Sequence, residues 1–348
     1  MSIPLKKIKV MLKSVALLAA LFLTIQAANY CMKDKELSEN EFFDQVQGTI
    51  FANQQNRVVA IECPDPKDNS TCLYIVDRIG YLKDGSWFVG RFLTPVPDLT
   101  KGFLSVSKLV KPVFKSMSTI DTATWMVDVG TMDAMTPNSV ELSSLFTTGH
   151  FEMNRDVSGN ITFLGVATGG LMSFFSTYFK NLKLTGIDID PQSEYLAKKW
   201  FGYRDTKNSK ILIGDGAEHI VEMARREETS DAVLVDACHN HAPPDGIYCP
   251  VEAVRTPEFL KSLSAVIGTK GITTYNMYIL HKKHQKGYQR IRDEFSKYFT
   301  ECHLGSNHLG NAFIMCSNNR IDQSTVDIPT VRSFLKNMRI DGFLKNLL

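Results

Sequence analysis

The sequence predicts an α/β fold with a Rossmann-like, doubly wound sheet of about seven strands. We expect an antiparallel hairpin at the C-terminal edge of this sheet and a small β-rich N-terminal domain before it. Short apolar runs alternate with helical patterns from residue 119 onwards, as in a parallel sheet with crossover helices. Three of these runs end in glycine or a carboxylate, which is typical of buried strands that lead into ligand-binding loops.

The overall composition is that of an ordinary globular protein. The chain has 348 residues, of which 44% are hydrophobic and 22% are charged. This length allows about two structural units. The formal net charge is +2, so the sequence carries no electrostatic signature of nucleic-acid binding, and we expect no nucleic-acid partner.

The first 28 residues are predicted to form a targeting segment. Four lysines precede a mostly apolar run over residues 14–28, which predicts a secretory signal peptide. The run is short for a membrane span of about 20 residues. The cleavage pattern is poor, because Ile25 and Gln26 occupy positions where small residues are preferred. A type II signal anchor in the endomembrane system or at the cell surface therefore stays open beside secretion, and a buried core helix is a third, weaker alternative.

The seven cysteines support a location in the secretory pathway. Six fall into pairs that are close in sequence and are predicted to form disulfides: Cys63 with Cys72, Cys238 with Cys249, and Cys302 with Cys316. Cys31 is left over. Buried free thiols are one alternative to these disulfides. Another is a zinc site formed by Cys238, His239, His241 and Cys249. We favour the disulfides and predict no metal.

Two N-glycosylation sequons fit a secreted or anchored glycoprotein. The first, at Asn69, lies in the polar loop between two paired cysteines, where a glycan is readily accommodated. The second, at Asn160, begins the first core strand. We expect that position to be too buried for modification.

Residues 29–118 are predicted to form the small β-rich domain. Apolar segments separated by turn residues indicate antiparallel strands: Arg57–Glu62, Cys72–Val76, Ser86–Gly90 and Gly102–Val106. This domain either covers or gates a ligand cleft in the larger domain or packs against it as an appendage.

The larger domain, residues 119–318, contains three motifs of a nucleotide-type cofactor site: Ile161–Gly170, Leu184–Pro191 and Ile211–Gly216. In open α/β sheets, ligands bind outside the carboxyl ends of the strands. Small residues in the first motif let the backbone approach a ligand, while the acids ending the other two can accept hydrogen bonds from ribose hydroxyls and an adenine amino group. The predicted cofactor-binding residues are Gly165, Ala167, Gly169, Asp188, Ile189, Asp215, Gly216 and Asp236. The alternative is that the glycines only make turns.

The other elements follow from apolar periodicity. Asp190 and Pro191 begin a helix whose Leu196 and Trp200 are expected to face the sheet. Further predicted elements are a strand over Asp231–Asp236, a helix over Glu258–Ile267, a strand over Ile272–Asn276, an amphipathic helix over Tyr288–Phe299 and a closing strand over Asn311–Cys316. Residues 319–348 are predicted to form a helical tail on the outside of the domain.

Two segments, taken with these motifs, carry a resemblance to a known family. They are Asp190–Tyr203, with its Asp-Pro and Lys-Trp-Phe-Gly sequences, and Gly246–Pro250. Roughly residues 120–318 resemble the S-adenosylmethionine-dependent methyltransferase superfamily. The similarity is greatest to the branch of the spermidine/spermine synthases and the methyltransferase-like proteins that modify elongation factor 1 alpha. This resemblance implies that residues 119–318 are a catalytic domain that binds S-adenosyl-L-methionine.

Two positions separate methyl transfer from polyamine synthesis. Aminopropyltransferases resemble one another in having an aspartate where this chain has Thr168 and another where it has His239. Carboxylates favour polycationic substrates, so their replacement favours methyl transfer. The methyltransferase-like group usually has glycine where this chain has Ala167, which implies altered cofactor affinity rather than a different fold.

The loop after the fourth core strand is the expected place for catalysis. Asp236 is predicted to orient the cofactor or an incoming amine. His239 is the candidate base, because imidazole titrates near neutral pH, and a surface-loop role is the alternative. Asn276, at the next strand end, is a candidate for substrate contact, although we slightly prefer a turn-capping role for it.

Together these inferences predict a methyltransferase-like protein of the secretory pathway with an unidentified acceptor, such as a protein amine. A polyamine synthase-like enzyme and a catalytically inactive binding protein with the same fold are the alternatives. Retention of Asp188 and Asp215 favours an enzyme, since a chain released from cofactor binding would need neither. The similarity to polyamine synthases also leaves a homodimer open.

Overall fold

The computed structural model describes residues 35–65, 67–68, 71–239, 243–279, 285–306, 311–321, 328–342 and 344–347. The predicted targeting segment, Cys31, Asn69 and His241 lie outside these residues. Within them, no helix is both long and apolar enough to span a membrane. The described chain divides into two compact units, residues 35–57 with 111–125 and residues 58–110 with 126–347.

The smaller unit contains one short α-helix. Helix α1, Glu39–Gln45, begins at a capping box in which the Ser38 hydroxyl accepts a backbone hydrogen bond of the first turn. A π-helical turn, Val46–Ile50, follows it. Phe42 is fully buried and stacks on Trp125, with ring centroids 5.9 Å apart, so the two segments of this unit are in apolar contact.

A small sheet precedes the central sheet. Its strands lie in the order β1 (Asn56–Glu62), β2 (Leu73–Tyr81), β3 (Trp87–Thr94) and β4 (Ser105–Lys108). The pairs β2–β3 and β3–β4 are antiparallel, as predicted. Every residue of β3 is buried, so both faces of the sheet are covered at this strand, whereas β1 is half-buried or exposed. Apart from the first two residues of β1, the sheet belongs to the larger unit.

Helices and strands then alternate along the larger unit. The helices are α2 (Pro137–Thr147), α3 (Gly170–Tyr178), α4 (Gln192–Trp200), α5 (Gly216–Arg225), α6 (Pro257–Ile267), α7 (Gln285–Phe295) and α8 (Ile328–Lys336). The strands are β5 (Thr131–Asp133), β6 (Gly159–Leu164), β7 (Leu182–Asp188), β8 (Ser209–Ile213), β9 (Ala232–Val235), β10 (Ile247–Cys249), β11 (Ile272–Ile279), β12 (Glu301–Ser306), β13 (Ala312–Ser317) and β14 (Arg339–Asp341).

The central sheet confirms the predicted fold class. Its spatial order is β12-β13-β11-β9-β6-β7-β8, with β10 paired to β11 off this path. The five strands from β11 to β8 are parallel to their neighbours, and β13 and β12 form the antiparallel hairpin at the edge. Because the parallel strands run in one direction, their carboxyl ends meet at one edge of the sheet, and we call this the carboxyl edge.

Both faces of the central sheet are buried, which explains the nearly continuous apolar runs of its strands. Along β6, Phe163 contributes to the core on one face and Leu164 to the core on the other. The first core is shared with Phe175 of α3, and the second with Leu260 of α6. Each of these four side chains is below 5% exposed. The close-packed sheet is therefore a rigid support for the loops at its carboxyl edge.

All three predicted disulfides are present: Cys63–Cys72, Cys238–Cys249 and Cys302–Cys316. The last joins directly paired residues of β12 and β13. The second contradicts the zinc alternative, because two sulfurs bonded to each other cannot act as thiolate ligands.

Helix α4 faces a different sheet from the one expected. Leu196 packs against Leu73, Ile75 and Leu93 of the small sheet rather than against the central sheet. Ala197, next along the helix, is the residue that joins the central core. The small sheet therefore covers α4, a tertiary arrangement that helical periodicity alone does not reveal.

The C-terminal segment matches the expectation of an outer helical tail only in part. After α8, strand β14 pairs in parallel with β5. Leu347 is 1% exposed and packs among Val76, Phe88 and Phe92 of the small sheet. A Cβ at Gly90 would lie 2.5 Å from a methyl carbon of Leu347, so this glycine makes room for the tail. The end of the described chain is thus part of the core.

The second sequon also differs from expectation. Asn160 is exposed at the beginning of β6, whereas Thr162, two residues later, is 4% exposed. The strand enters the core only at Ile161. The prediction that the asparagine is buried was wrong, because the strand starts at the surface.

Candidate functional site

The glycine loop between β6 and α3 lies at the carboxyl edge. A Cβ at Gly165 would approach the backbone oxygen of Asp236 to 2.3 Å, so only glycine fits where this loop crosses the end of β9. Gly169 has a positive φ of 66° and directly precedes α3. Ala167 has a φ of 47°, a left-handed conformation that is costly for a residue with a Cβ. The loop therefore contains one strained residue at the position where glycine is usual.

Asp188, at the end of β7, holds this loop in place. Its Oδ2 accepts hydrogen bonds from the backbone N–H groups of Val166 (2.8 Å) and Ala167 (2.9 Å). Its Oδ1 accepts from the N–H of Asp190 at 3.0 Å. A carboxylate has about four acceptor positions, so roughly one is left for a ribose hydroxyl. Asp188 thus has a structural role that the motif did not reveal.

Asp215, at the end of β8, has a structural role as well. Its Oδ1 caps α5 by accepting hydrogen bonds from the N–H groups of Ala217 (2.7 Å) and Glu218 (3.3 Å). Gly216 opens that helix, and a Cβ there would lie 3.1 Å from Leu164. The retention of Asp188 and Asp215 is therefore no argument for catalysis by itself, because the fold uses both.

Two exposed isoleucines lie beside these acids. Ile189 follows β7 and is 73% exposed, and Ile213 ends the neighbouring strand β8 and is 42% exposed. Ile213 pairs with Asp188 across the two strands. An apolar surface next to carboxylates suits a ligand with a flat ring and hydroxyl or amino groups. The predicted cofactor-binding residues are thus gathered at one edge.

Asp236 follows β9 and is the first member of a chain of polar side chains. Its Oδ1 accepts a hydrogen bond from Asn276 Nδ2 at 2.6 Å, and Asn276 Oδ1 accepts one from Asn311 Nδ2 at 2.9 Å. Burial raises the pKa of Asp236, the hydrogen bond from Asn276 opposes this shift, and the charge of Asp188 adds to it. Asn276 thus fixes the orientation of Asp236.

The preferred turn-capping role for Asn276 was wrong. The residue is 3% exposed and lies inside β11, which continues to Ile279, rather than at its end. Asn311, which donates to Asn276 Oδ1, was not predicted as a site residue. The sequence feature that could have predicted it is its position directly before the closing strand, which pairs with β11.

Glu141 on α2 is a site residue that the sequence motifs did not reveal. Its side chain is 2% exposed, and Oε1 has no hydrogen-bond partner. Burial raises its pKa well above the usual range, and the negative charge of Asp236 raises it further. The two carboxyl groups therefore interact electrostatically, and among the described residues no hydrogen bond joins them.

The packing of α2 explains how Glu141 reaches this place. Ser144 Oγ lies 2.7 Å from Oγ1 of Thr274, the third residue of β11. Just after the helix, His150 Nε2 lies 3.0 Å from Ser317 Oγ. Ser317 pairs with the first residue of β11, so the helix runs antiparallel to this strand. Glu141, one turn before Ser144, accordingly lies toward the carboxyl edge.

His239 is not brought into this cluster. It is exposed, and its backbone N–H donates to the carbonyl of Tyr248 at 2.8 Å. Within the described part of the chain, no hydrogen bond joins its ring to Asp236. Its role as a base stays a prediction.

The Cys238–Cys249 disulfide borders the site. Cys238 Sγ lies 3.2 Å from Asp236 Oδ1, and Asn276 Nδ2 lies 3.9 Å from both sulfurs. The bond joins the loop after β9 to β10, and so it limits the movement of the loop next to Asp236.

Thr168 connects the glycine loop to the small sheet. It is 1% exposed, and its Oγ1 lies 2.6 Å from the hydroxyl of Ser105 at the beginning of β4. The small sheet thus contacts the predicted cofactor loop directly, and this contact fits both a covering role and a packing appendage. A hydroxyl pair stands where aminopropyltransferases would place a carboxylate.

Several curated proteins that are similar in sequence to this chain are methyltransferases. The eEF1A lysine and N-terminal methyltransferase homolog of Drosophila melanogaster is 30% identical over 124 residues, which is 35% of this chain and 18% of that protein. The human eEF1A lysine and N-terminal methyltransferase is 26% identical over 117 residues, 33% of this chain and 17% of its own. The match thus spans less than a fifth of these relatives. No protein-family model matches the chain.

Polyamine enzymes match as well. The polyamine aminopropyltransferase of Vibrio vulnificus is 22% identical over 139 residues, 40% of this chain and 44% of its own. The resemblance inferred from the motifs, to a superfamily that includes both kinds of enzyme, is therefore confirmed.

Solved structures show the same fold. Human Methyltransferase-like protein 13 in complex with SAH aligns with a TM-score of 0.50 and 18% identity, covering 60% of this chain and 91% of that one. Spermidine synthase from Thermotoga maritima aligns with a TM-score of 0.50 and 14% identity, covering 84% of each chain. The chain is methyltransferase-like in sequence and has the Rossmann-like fold of these enzymes.

Proposed function

We propose that this chain is an S-adenosylmethionine-dependent methyltransferase that modifies a protein amine in the secretory pathway. The observation that carries the proposal is the convergence of the glycine loop, two strand-end acids and Asp236 at one edge of the sheet. The matched relatives are named as methyltransferases of a protein, and a fold neighbour is a complex with SAH. Fold similarity alone would not support the proposal, because one fold serves many functions.

The residues at the carboxyl edge fit the cofactor. Ile189 and Ile213 offer apolar surface to an adenine ring, and within the described residues Asp215 Oδ2 makes no hydrogen bond that would compete with an adenine amino group. Asp188 keeps about one acceptor position for the ribose. The carboxylate of Asp236 suits a cofactor that carries positive charge.

The glycine loop, Asp188 and Asp215 would hold S-adenosylmethionine. The cofactor would supply a methyl group on sulfur, which an amine lone pair would displace to form a C–N bond, with the electrons of the broken C–S bond left on sulfur. The chain's own residues must orient the amine and accept the proton that it loses. Asp236 is the candidate for both, because Asn276 fixes its Oδ1 and leaves Oδ2 for an N–H group. The burial that raises the pKa of Asp236 also makes its carboxylate a stronger proton acceptor.

The disulfides and the N-terminal sequence support the proposed compartment. Three disulfides join six of the seven cysteines, and such bonds persist mainly in oxidising compartments. The lysine-flanked apolar segment over residues 14–28 has the pattern of a secretory signal or anchor. The acceptor proposed here is accordingly a protein of that pathway, not the elongation factor in the relatives' names.

Calorimetric titration tests the cofactor. The purified full-length protein, with its disulfides intact, is titrated with S-adenosylmethionine and separately with its decarboxylated form. We expect micromolar binding of the first and weaker binding of the second. Preference for the decarboxylated form would instead support aminopropyl transfer, and binding of neither would support an inactive protein with this fold.

Asp215→Asn is the matched variant for this titration. Asparagine caps a helix as well as aspartate does, so α5 is retained while the acceptor for the adenine amino group is weakened. We expect about tenfold weaker cofactor binding, the effect of one lost hydrogen bond. Asp205→Asn, at an exposed position, is the control and should bind as the wild type does.

A further inference from the structure

Glu141 is unusual among the buried carboxyl groups of the larger unit. Buried carboxyl groups in folded proteins nearly always have hydrogen-bond partners. Glu141 is 2% exposed, and its Oε1 has none in the described structure. The residue belongs to none of the motifs that define the cofactor site, and it lies on α2, whose Ser144 contacts Thr274 of β11, the strand that carries Asn276.

We propose that Glu141 and Asp236 together bind the ammonium group of the methyl acceptor. This inference rests on the proposed function and adds a binding residue to it. Asp236 Oδ1 is held by Asn276, so Asp236 Oδ2 and Glu141 Oε1 are the acceptors that the described hydrogen bonds leave over. An ammonium group has three donors and one positive charge, and it satisfies both acceptors while it neutralises the repulsion between two carboxylates.

The arrangement favours an alkyl ammonium over a guanidinium group. A guanidinium binds best when both oxygens of one carboxylate accept its parallel N–H groups. At Asp236, Asn276 Nδ2 already uses one acceptor position of Oδ1 at 2.6 Å, so a guanidinium would have to share that oxygen with Asn276. An ammonium group is a compact donor that can reach oxygens on two different side chains.

The electrostatics of the pair agree with a cationic ligand. Without it, burial raises the pKa of both carboxyl groups; the charge of Asp236 raises that of Glu141 further, and the charge of Asp188 raises that of Asp236. The protein therefore disfavours additional negative charge here. A bound cation reverses this preference. A purely structural role would instead predict a partner for Glu141 on the protein, such as the arginine that Asp77 has in the small sheet.

The test uses a small probe, because the acceptor protein is not known. Nα-acetyl-lysine methylamide is titrated into the full-length protein in the presence of saturating S-adenosylhomocysteine, and binding is followed by the shift in thermal unfolding. The Nε-acetylated form of the probe, which has no charge, is the ligand control. The variants are Glu141→Gln, which keeps the shape of the side chain, and Glu152→Gln at an exposed position.

We expect the charged probe to stabilise the wild type and Glu152→Gln equally, and to bind Glu141→Gln at least about tenfold more weakly. The affinity for S-adenosylhomocysteine should be the same in all three proteins. Equal probe affinity in Glu141→Gln and the wild type would overturn the inference. A loss of S-adenosylhomocysteine affinity in Glu141→Gln would overturn it too, because the carboxyl pair would then serve the cofactor. Failure of the wild type to bind S-adenosylmethionine contradicts the proposed function instead.

Discussion

Two buried carboxyl groups of the larger unit differ in their hydrogen-bond partners. Asp77 in the small sheet is fully buried and receives two hydrogen bonds from Arg91, at 2.8 and 2.9 Å. Glu141 near the carboxyl edge is buried to a similar degree, yet its Oε1 has no partner. The paired acid belongs to the scaffold. An acid left without a partner reduces stability, and proteins retain such groups mainly where they bind or react.

The same contrast extends to the backbone. At the carboxyl edge, Ala167 adopts a left-handed conformation with a φ of 47°. In the small sheet, Gly85 occupies the tight turn between β2 and β3, where its φ of 82° carries no penalty. Unfavourable conformations that persist in a fold often mark functional sites. The carboxyl edge thus contains an unpartnered acid and an unfavourable backbone conformation, whereas the compared positions in the small sheet have neither. Four variants measure this difference.

Asp77→Ala should have the largest effect. It leaves the Arg91 guanidinium, 2% exposed, without its partner, and breaking such a pair costs about 3–5 kcal/mol. Urea unfolding of the full-length protein measures the loss. Asp205→Ala, which removes an exposed ion pair with Lys198, should change stability by less than about 1 kcal/mol. Similar losses of stability in the two variants would contradict the claim that the buried Asp77–Arg91 pair stabilises the small sheet.

Asp188→Ala should lower both stability and cofactor affinity. It removes the acceptor of three backbone N–H groups, two of them in the glycine loop, and we expect a loss of about 2–3 kcal/mol. Asp188→Asn keeps one acceptor oxygen and should lose less. Calorimetry and thermal unfolding separate the two effects. Unchanged cofactor affinity in Asp188→Ala would show that this acid serves only the fold.

Glu141→Gln should increase stability, and the gain should grow with pH. The folded-state pKa of Glu141 is raised by burial, so the folded protein retains a proton that the unfolded chain loses above about pH 4.5. Wild-type stability therefore falls as pH rises from this value through the folded-state pKa, whereas glutamine does not titrate. Urea unfolding of both proteins should show a stability difference that is larger at pH 8 than at pH 5. A difference independent of pH would contradict the account of Glu141.

Ala167→Gly should have the smallest effect on stability. Glycine adopts the left-handed conformation without a steric penalty, so we expect a gain of up to about 1 kcal/mol, partly offset by the entropy of the unfolded chain. Gly85→Ala is the matched reverse change in the small sheet and should lose a similar amount. Thermal unfolding measures both. A loss in Ala167→Gly would mean that the alanine methyl group makes a stabilising contact.

The parts of the site that the sequence predicted depend on local signals. Asp188 ends a strand, and Gly165 and Asp215 follow strands within two residues. Parallel strands bring their carboxyl ends together in any doubly wound sheet. The disulfides were predictable for the same reason, since each pair is close in sequence and flanks one loop or hairpin. Such features follow from chain order and need no knowledge of packing.

The parts that escaped prediction depend on packing between distant segments. The charge of Asp236 acts on Glu141 because α2 runs antiparallel to β11, an arrangement that the helix sequence does not reveal. Leu196 faces the small sheet because that sheet lies over α4. The second roles of Asp188 and Asp215, as loop anchor and helix cap, were likewise invisible, because each motif was interpreted for its ligand alone.

Hydrogen–deuterium exchange with and without S-adenosylmethionine tests most directly whether the cofactor binds at the carboxyl edge. We predict slower exchange in residues 165–170, 188–190 and 213–217, with no change in β2 and β3 of the small sheet. No protection at the carboxyl edge, or protection confined to the small sheet, would contradict the proposed cofactor site.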